Sequence, residues 1–289
     1  MKKDPGRLLK NVLEIRNYIR NHRFLSAAVC LFLICVVIVI LVISCSIRRS
    51  DTSVRSSAEY LDASFWKDTE QGIRYYDQEG YRSEFGIDIS EWVEDVDFGK
   101  LRSSGVSFVI LRAGYRGYET GKFVPDTRFA EYLKGAKAAG LRVGAYFVSQ
   151  AVNEEEAVEE AQYVLEMCKG YALEMPVYID LESVYDTART DELSAKDFTD
   201  IVITFCKTVE EQGMRGGVYA NDQWFHNKLL FDRIKQYDIW IAQYADELST
   251  DLPVNMWQYS SEGLVDGCSM WVDLNVRVFR EEAQESQES

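Results

Sequence analysis

Histidine is nearly missing from this sequence and cysteine is thin, and neither is arranged for chemistry. Only His22 and His226 occur among 289 residues. A Ser-His-Asp or Cys-His site would have to use His226, and nothing around it resembles a nucleophile elbow; a surface histidine on a helix is the simpler reading. The six cysteines divide evenly: Cys30, Cys35 and Cys45 lie in or beside an apolar run, while Cys168, Cys206 and Cys268 lie in the body. Those last three are odd in number and lack CxxC spacing, which excludes a disulfide framework and a zinc site, although one pair could still join. No metal and no cofactor is implied. Internal repeats and a separate wall- or sugar-binding module are also lacking. Basic residues become scarce after the N-terminus. Residues 1–55 hold ten Lys and Arg against three acids, whereas residues 56–289 hold 22 against 44, a net of −22. A body that acidic repels nucleic acid and anionic lipid, so its substrate is expected to be neutral or handled by local groups at a cleft.

What the chain does have begins with an uncharged run, Phe24 to Ile47. As a helix it would span about 36 Å, enough to cross a bilayer with some tilt, and it is longer than the apolar region of a secretory signal. Seven basic residues precede it and only Arg48, Arg49 and Arg55 follow closely. The positive-inside rule then puts residues 1–23 in the cytoplasm, makes 24–47 a single-pass transmembrane helix and leaves the rest extracellular. Val42-Ile43-Ser44-Cys45 also resembles a bacterial lipobox, and on either reading the body is outside and tethered. Residues 48–84 read as an extracellular stalk, polar at first and then rich in Tyr, Phe and Trp, the later part folding back or forming a short helix. Residues 281–289, EEAQESQES, read as a disordered acidic tail.

Between 85 and 280 strands alternate with helices. GIDIS (86–90), FVILRAGY (108–115), LRVGAYFVS (141–149), PVYIDLES (176–183) and GGVYAN (216–221) have the character of strands. Helices are expected over 125–140, from Asn153 to Gly170, from Ser194 to Gly213 and over 222–236. DIWIAQY, VNMWQYS and MWVDLNVRV follow with gaps too short for crossover helices. The pattern predicts an α/β barrel of five βα units followed by three strands, some of them antiparallel.

PVYIDLES organises the chemistry. Alternation puts Asp180 and Glu182 on one face, with Cα atoms roughly 6.5 Å apart. Two carboxyls that close repel, so one pKa rises and a proton donor stands beside an anion, the pairing that acetal hydrolysis needs. Barrel enzymes carry their active groups at the C-terminal ends of strands. Polar residues at such positions are Asp88 and Ser90, Arg112, Tyr146, Asp180 and Glu182, Tyr219 and Asn221, Gln243, Gln258, and Asp273 with Asn275. Of these, Asp88, Asp273, Arg112, Tyr146, Tyr219, Gln243 and Gln258 are the candidates for substrate binding. The aromatics Tyr115, Tyr146, Tyr178, Tyr219, Trp240, Tyr244, Trp257 and Tyr259 near the same ends suit stacking on sugar faces, with core packing as the alternative.

GIDISEW, FVILRAGYRG, LRVGAYFVSQAVNEEEAVEEA, PVYIDLES, GVYAN, WIAQY, MWQYSSEG and VDLN, in that order, resemble the family-25 glycoside hydrolases, the Chalaropsis-type lysozymes. The resemblance covers about residues 84–280. It implies a flattened TIM-like barrel and cleavage of the β-1,4 bond between N-acetylmuramic acid and N-acetylglucosamine in peptidoglycan glycan strands. It makes Glu182 the general acid and gives Asp180 the 2-acetamido group to orient as that group attacks the anomeric carbon. Asp88 and Asp273 would line the same floor. An inverting scheme with Asp180 or Asp88 as base stays open. The chain departs from many relatives at Val93, where they have Gln, and at Phe98 and Leu181, where they have Trp. A noncatalytic glycan-binding or scaffold protein of the envelope, using residues 8–23 for a cytoplasmic partner, is the alternative.

Overall fold

The structure, a computed structural model, describes residues 58–184 and 187–281. The predicted membrane segment Phe24 to Ile47, the first part of the stalk and most of the acidic tail lie outside the described residues. Among those described, no helix is long and apolar enough to cross a membrane.

In chain order the elements are β1 (Trp66–Asp68), β2 (Arg74–Tyr76), β3 (Tyr81–Ile89), α1 (Phe98–Ser103), β4 (Phe108–Arg116), β5 (Phe123–Pro125), α2 (Phe129–Ala138) and β6 (Arg142–Val148). Then follow α3 (Glu154–Met167), β7 (Val177–Asp180), α4 (Ala195–Glu211), β8 (Gly216–Asn221), α5 (Asp222–Asn227), β9 (Asp238–Ala242), β10 (Met256–Gly263) and β11 (Val272–Arg280). Eight strands close a barrel in the order β3-β11-β10-β9-β8-β7-β6-β4, with β4 pairing back to β3 and β5 appended to β4. Five strand–helix units precede three strands without helices, as the spacing predicts. β10–β11 and β11–β3 are antiparallel. β9–β10 is parallel even though no helix joins them, because residues 243–255 return as irregular chain.

Local chemistry explains the helix boundaries. Ser194 and Asp197 close a capping box at the start of α4. Asn153 caps α3, with Glu154, Glu155 and Glu156 in its first turn, where the helix dipole favours negative charge. The helix expected over 222–236 is shorter than its pattern suggests. α5 stops at Asn227, and the Leu230 amide donates instead to Thr199 Oγ1 on α4, at 2.9 Å.

Strand alternation sorts side chains into two layers. Phe108, Ile110, Tyr178, Tyr219, Trp240 and Met256 fill the barrel, while the other set packs against the helices. The tight interior needs glycine at position 86, where a Cβ would sit 2.3 Å from the Phe108 ring. Beneath the rings, Arg277 Nη1 donates to Asp238 Oδ1 at 2.8 Å and to the Tyr178 hydroxyl at 3.1 Å, and Tyr178 donates to Asp238 Oδ1 at 2.8 Å. Burial alone would raise Asp238, but the Arg277 charge outweighs it and holds that carboxyl below its usual range.

The aromatic half of the expected stalk belongs to the folded domain. Trp66 and Tyr76 are buried, and Trp66 meets Trp257 edge-on at 4.8 Å. Arg74 lies over the rings of Trp257 and Tyr259 and donates to the Ala245 carbonyl at 2.7 Å. The β1–β2 hairpin thus covers the strands that have no helix of their own. Without it Trp257 and Tyr259 would face water, which accounts for the aromatics of that segment. Cys168, Cys206 and Cys268 are all free thiols.

Candidate active site

Asp88 and Asp273 face each other across the β3–β11 ladder. Asp88 Oδ1 accepts from Asn275 Nδ2 at 2.7 Å and from Gln258 Nε2 at 2.9 Å. Gln258 is itself fixed, its Oε1 accepting from the Tyr219 hydroxyl at 2.8 Å and the Tyr244 hydroxyl at 3.0 Å. Asn275 Oδ1 accepts from Trp240 Nε1 at 2.8 Å. These donors decide which way both amides point, so each presents N–H to Asp88. The Asp88 carboxyl is pushed up to about 6, by burial first, with the amide bonds opposing it. Asp273 rises to about 9, from burial and then from Asp88 beside it. Between the two values the pair holds one proton, shared from Asp273 toward Asp88.

Asp180 ends β7 and is buried, and its Oδ1 has no hydrogen-bond partner among the described residues. Burial raises its pKa well above the usual carboxylate range, and Glu182 and Asp88 raise it further. Glu182, two residues on, is open to solvent at the mouth, yet enough protein stands around its carboxyl to raise its pKa too. Asp88 adds to that rise and Arg112 opposes it. One acid therefore forms the floor and the other the rim. The unsatisfied Asp180 oxygen is a buried acceptor with room in its chemistry for a donor from a ligand.

Most of the predicted site residues converge. Tyr146 lies beside Trp240, with ring centroids 6.1 Å apart, and its hydroxyl is raised by burial and by Asp88. Tyr219 and Gln258 belong to the Asp88 network. Arg112 is near enough for its charge to oppose the rise of Asp180 and Glu182. Its guanidinium is bound to Asp126 at 2.9 Å and Glu91 at 3.2 Å, so it acts through its field and not as a free arm. Gln243 does not join the site. It falls on the other parity of β9, and its Oε1 accepts from the Ser249 amide at 2.7 Å, shaping the loop to β10. Ser90 and Asn221 serve backbone: the Ser90 hydroxyl faces the Trp92 amide, and Asn221 caps α5. Val93 is buried in the outer layer and Phe98 packs on Tyr132, so both departures from the family pattern are matters of packing. Trp240 and Tyr244, two of the aromatics expected near the strand ends, join the same network through their bonds to Asn275 and Gln258. Their signal was parity, since Trp240, Ala242 and Tyr244 share the inner face of β9. Among the described residues, no group of three or more His, Cys, Asp or Glu side chains is placed to hold a metal ion.

Known proteins resemble this chain in sequence and fold. The family model of the glycosyl hydrolases family 25 matches residues 87–268. The autolytic lysozyme of Clostridium acetobutylicum is 28% identical over 193 residues, covering 66% of this chain and 54% of that protein. Lysozyme M1 of Streptomyces globisporus is 25% identical over 200 residues, covering 66% of both. Among solved structures, the modular autolysin LytC of Streptococcus pneumoniae, in complex with a synthetic peptidoglycan ligand, superposes with a TM-score of 0.62 at 25% identity. That match covers 73% of this chain and 51% of LytC. A family 25 glycosyl hydrolase of Bacillus anthracis shares the fold with a TM-score of 0.59 at 22% identity, covering 73% of this chain and 94% of its own. The chain spans about half the length of the autolytic lysozyme and of LytC. With the family model matched from the first barrel strand to the β10–β11 turn, the chain belongs to the glycosyl hydrolases family 25.

Proposed function

We propose that this chain is a peptidoglycan hydrolase that cuts the β-1,4 bond between N-acetylmuramic acid and N-acetylglucosamine, held at the membrane by Phe24 to Ile47 with its barrel outside the cell. The observation that carries the reading is the pair at the end of β7: a buried acid with an unsatisfied oxygen beside an accessible acid whose pKa is raised. Glu182, in its acid form, gives its proton to the glycosidic oxygen as the bond to the anomeric carbon breaks. The substrate's own acetamido oxygen closes on that carbon, while its N–H donates to Asp180. The N–H donor fills the empty position on Asp180 and favours its ionised form, offsetting the burial that raises its pKa in the free protein. Water then opens the ring intermediate, returning a proton to Glu182. No protein nucleophile is needed. The relatives named as lysozymes and the autolysin bound to a peptidoglycan ligand support peptidoglycan as the substrate. The basic flank before residue 24 supports the orientation.

Digestion of purified peptidoglycan by the full chain, with assay of new reducing ends and mass analysis of the fragments, tests both cleavage and linkage. Glu182→Gln should lower the rate by about 10²-fold or more while leaving glycan binding in place. Undiminished release of reducing ends by that variant would remove Glu182 from its role.

A further inference from the structure

The alternation that turns Asp273, Asn275 and Arg277 into the barrel extends one step beyond the start of β11, to Trp271. Val272 between them is buried in the outer layer, while Trp271 is 59% exposed. Its Cα stands about 7 Å along the chain from that of Asp273. On the far side of β10, Tyr244 likewise continues the inner face of β9 past Trp240 and Ala242. It is 58% exposed, yet its hydroxyl is fixed on Gln258, the residue that holds Asp88. Tyr244 follows β9 and Trp271 precedes β11, the two neighbours of β10, whose pairing with β11 slips at Ser260 and Gly263. The strand that Trp271 precedes is already anchored by the buried Val272, Val276 and Val278, so the exposed indole is not needed to hold it.

We propose that Trp271 and Tyr244 form a platform for a pyranose ring of the glycan strand outside the pair of sugars being parted, and that Trp271 makes the protein favour long strands over short ones. This rests on the reading of the acids as a glycan-cleaving site. A pyranose presents an apolar C–H face to an indole and hydroxyls at its edges, matching a ring set beside Asp273. An anionic lipid surface is opposed by the net charge of −22 on residues 56–289.

The test uses the full chain carrying Glu182→Gln, so that ligand is bound without turnover, titrated calorimetrically with peptide-free glycan strands of disaccharide and octasaccharide length. Trp271→Ala should weaken octasaccharide binding roughly tenfold and disaccharide binding by less than about twofold, with Trp271→Phe restoring most of the loss. Because the side chain is exposed, melting temperature should not move. Equal weakening for both lengths, or none, overturns the platform while leaving the glycan reading intact. Binding to anionic vesicles that falls in Trp271→Ala, with octasaccharide affinity unchanged, overturns it in favour of a membrane contact. If the octasaccharide binds neither chain, the reading of the groove itself fails, and the platform with it.

Discussion

The Asp88–Asp273 pair makes a quantitative demand on stability. Asp273 has a pKa of about 9 in the folded chain against an ordinary 3.8. Between those values the folded protein keeps a proton that the unfolded chain has lost. The unfolded state binds fewer protons there, so stability is greatest below 3.8 and falls as pH rises toward 9. One proton corresponds to about 1.4 kcal/mol per pH unit, so from pH 5 to pH 8 the ceiling is about 4 kcal/mol. Asp273 is only partly buried at the groove mouth, and water there screens the effect, so about half of that is expected.

Asp273→Asn removes the titration and keeps the geometry, because an amide N–H can donate to Asp88 as the acid's O–H does. Relative to the unaltered chain, the variant should therefore gain about 2 kcal/mol between pH 5 and pH 8, or roughly 4–8 °C in melting temperature. Acids outside this pair titrate nearly alike in both proteins, so the difference between the two curves reports the Asp88–Asp273 pair. All six tryptophans lie between residues 66 and 271, so fluorescence melts of the full chain report on the barrel. Two pH curves that run parallel, whatever their offset, would refute the shared proton.

The lower end of the barrel should respond in the opposite sense to loss of a charge. Arg277→Met takes the ion-pair partner from buried Asp238, leaving it the Tyr178 hydroxyl, and should cost about 3–5 kcal/mol by denaturant unfolding, much of it regained by adding Asp238→Asn. Gly86→Ala drives a methyl into the Phe108 ring and should cost about 1–3 kcal/mol, with Phe108→Leu in the same chain relieving it. The rate of wall digestion should fall on the alkaline side as Glu182 loses its proton, above the ordinary glutamate value of 4.5. Arg112→Met removes a charge that opposes the rise of Glu182 and Asp180, so both limbs of the pH–rate profile should move to higher pH; an unmoved profile would mean that the field of Arg112 does not reach them.

Much of this site could be read from period-two alternation. Tyr178, Asp180 and Glu182 share a face in the sequence, and the structure sends Tyr178 into the barrel and Asp180 to its floor. A second rule, polarity at a strand end, identifies Asp88, Tyr219, Gln258 and Asp273. It fails for Gln243 because polarity at a strand end says nothing of parity, and parity had to be counted from Trp240. The family resemblance put Asp88 and Asp273 on one floor, but their direct cross-strand register was not legible, since 185 residues separate them and only barrel closure brings β3 beside β11. The hairpin at 66–76 was hidden for a related reason. Its strands are three residues long, too short for a periodic signal, and its stability comes from Trp257 and Tyr259, far along the chain.

The two ends of the barrel handle buried charge in contrary ways, and the contrast bears on function. Below, Asp238 has Arg277 and a tyrosine hydroxyl, so its carboxyl ionises at less than the usual pKa. Above, Asp88, Asp180 and Asp273 have no cation of their own among the described residues, and Arg112, the nearest, is bound to Asp126 and Glu91. The fold can pair a buried acid with a cation, as Asp238 on β9 and Arg277 on β11 do. Leaving three acids without such a partner forfeits stability at neutral pH. A site that only bound neutral sugars would gain nothing from this, since paired carboxyls accept hydroxyl hydrogen bonds equally well. A site that must hand a proton to a glycosidic oxygen requires an acid that resists ionising, and an Asp88 without a cation supplies that by raising the pKa of Glu182.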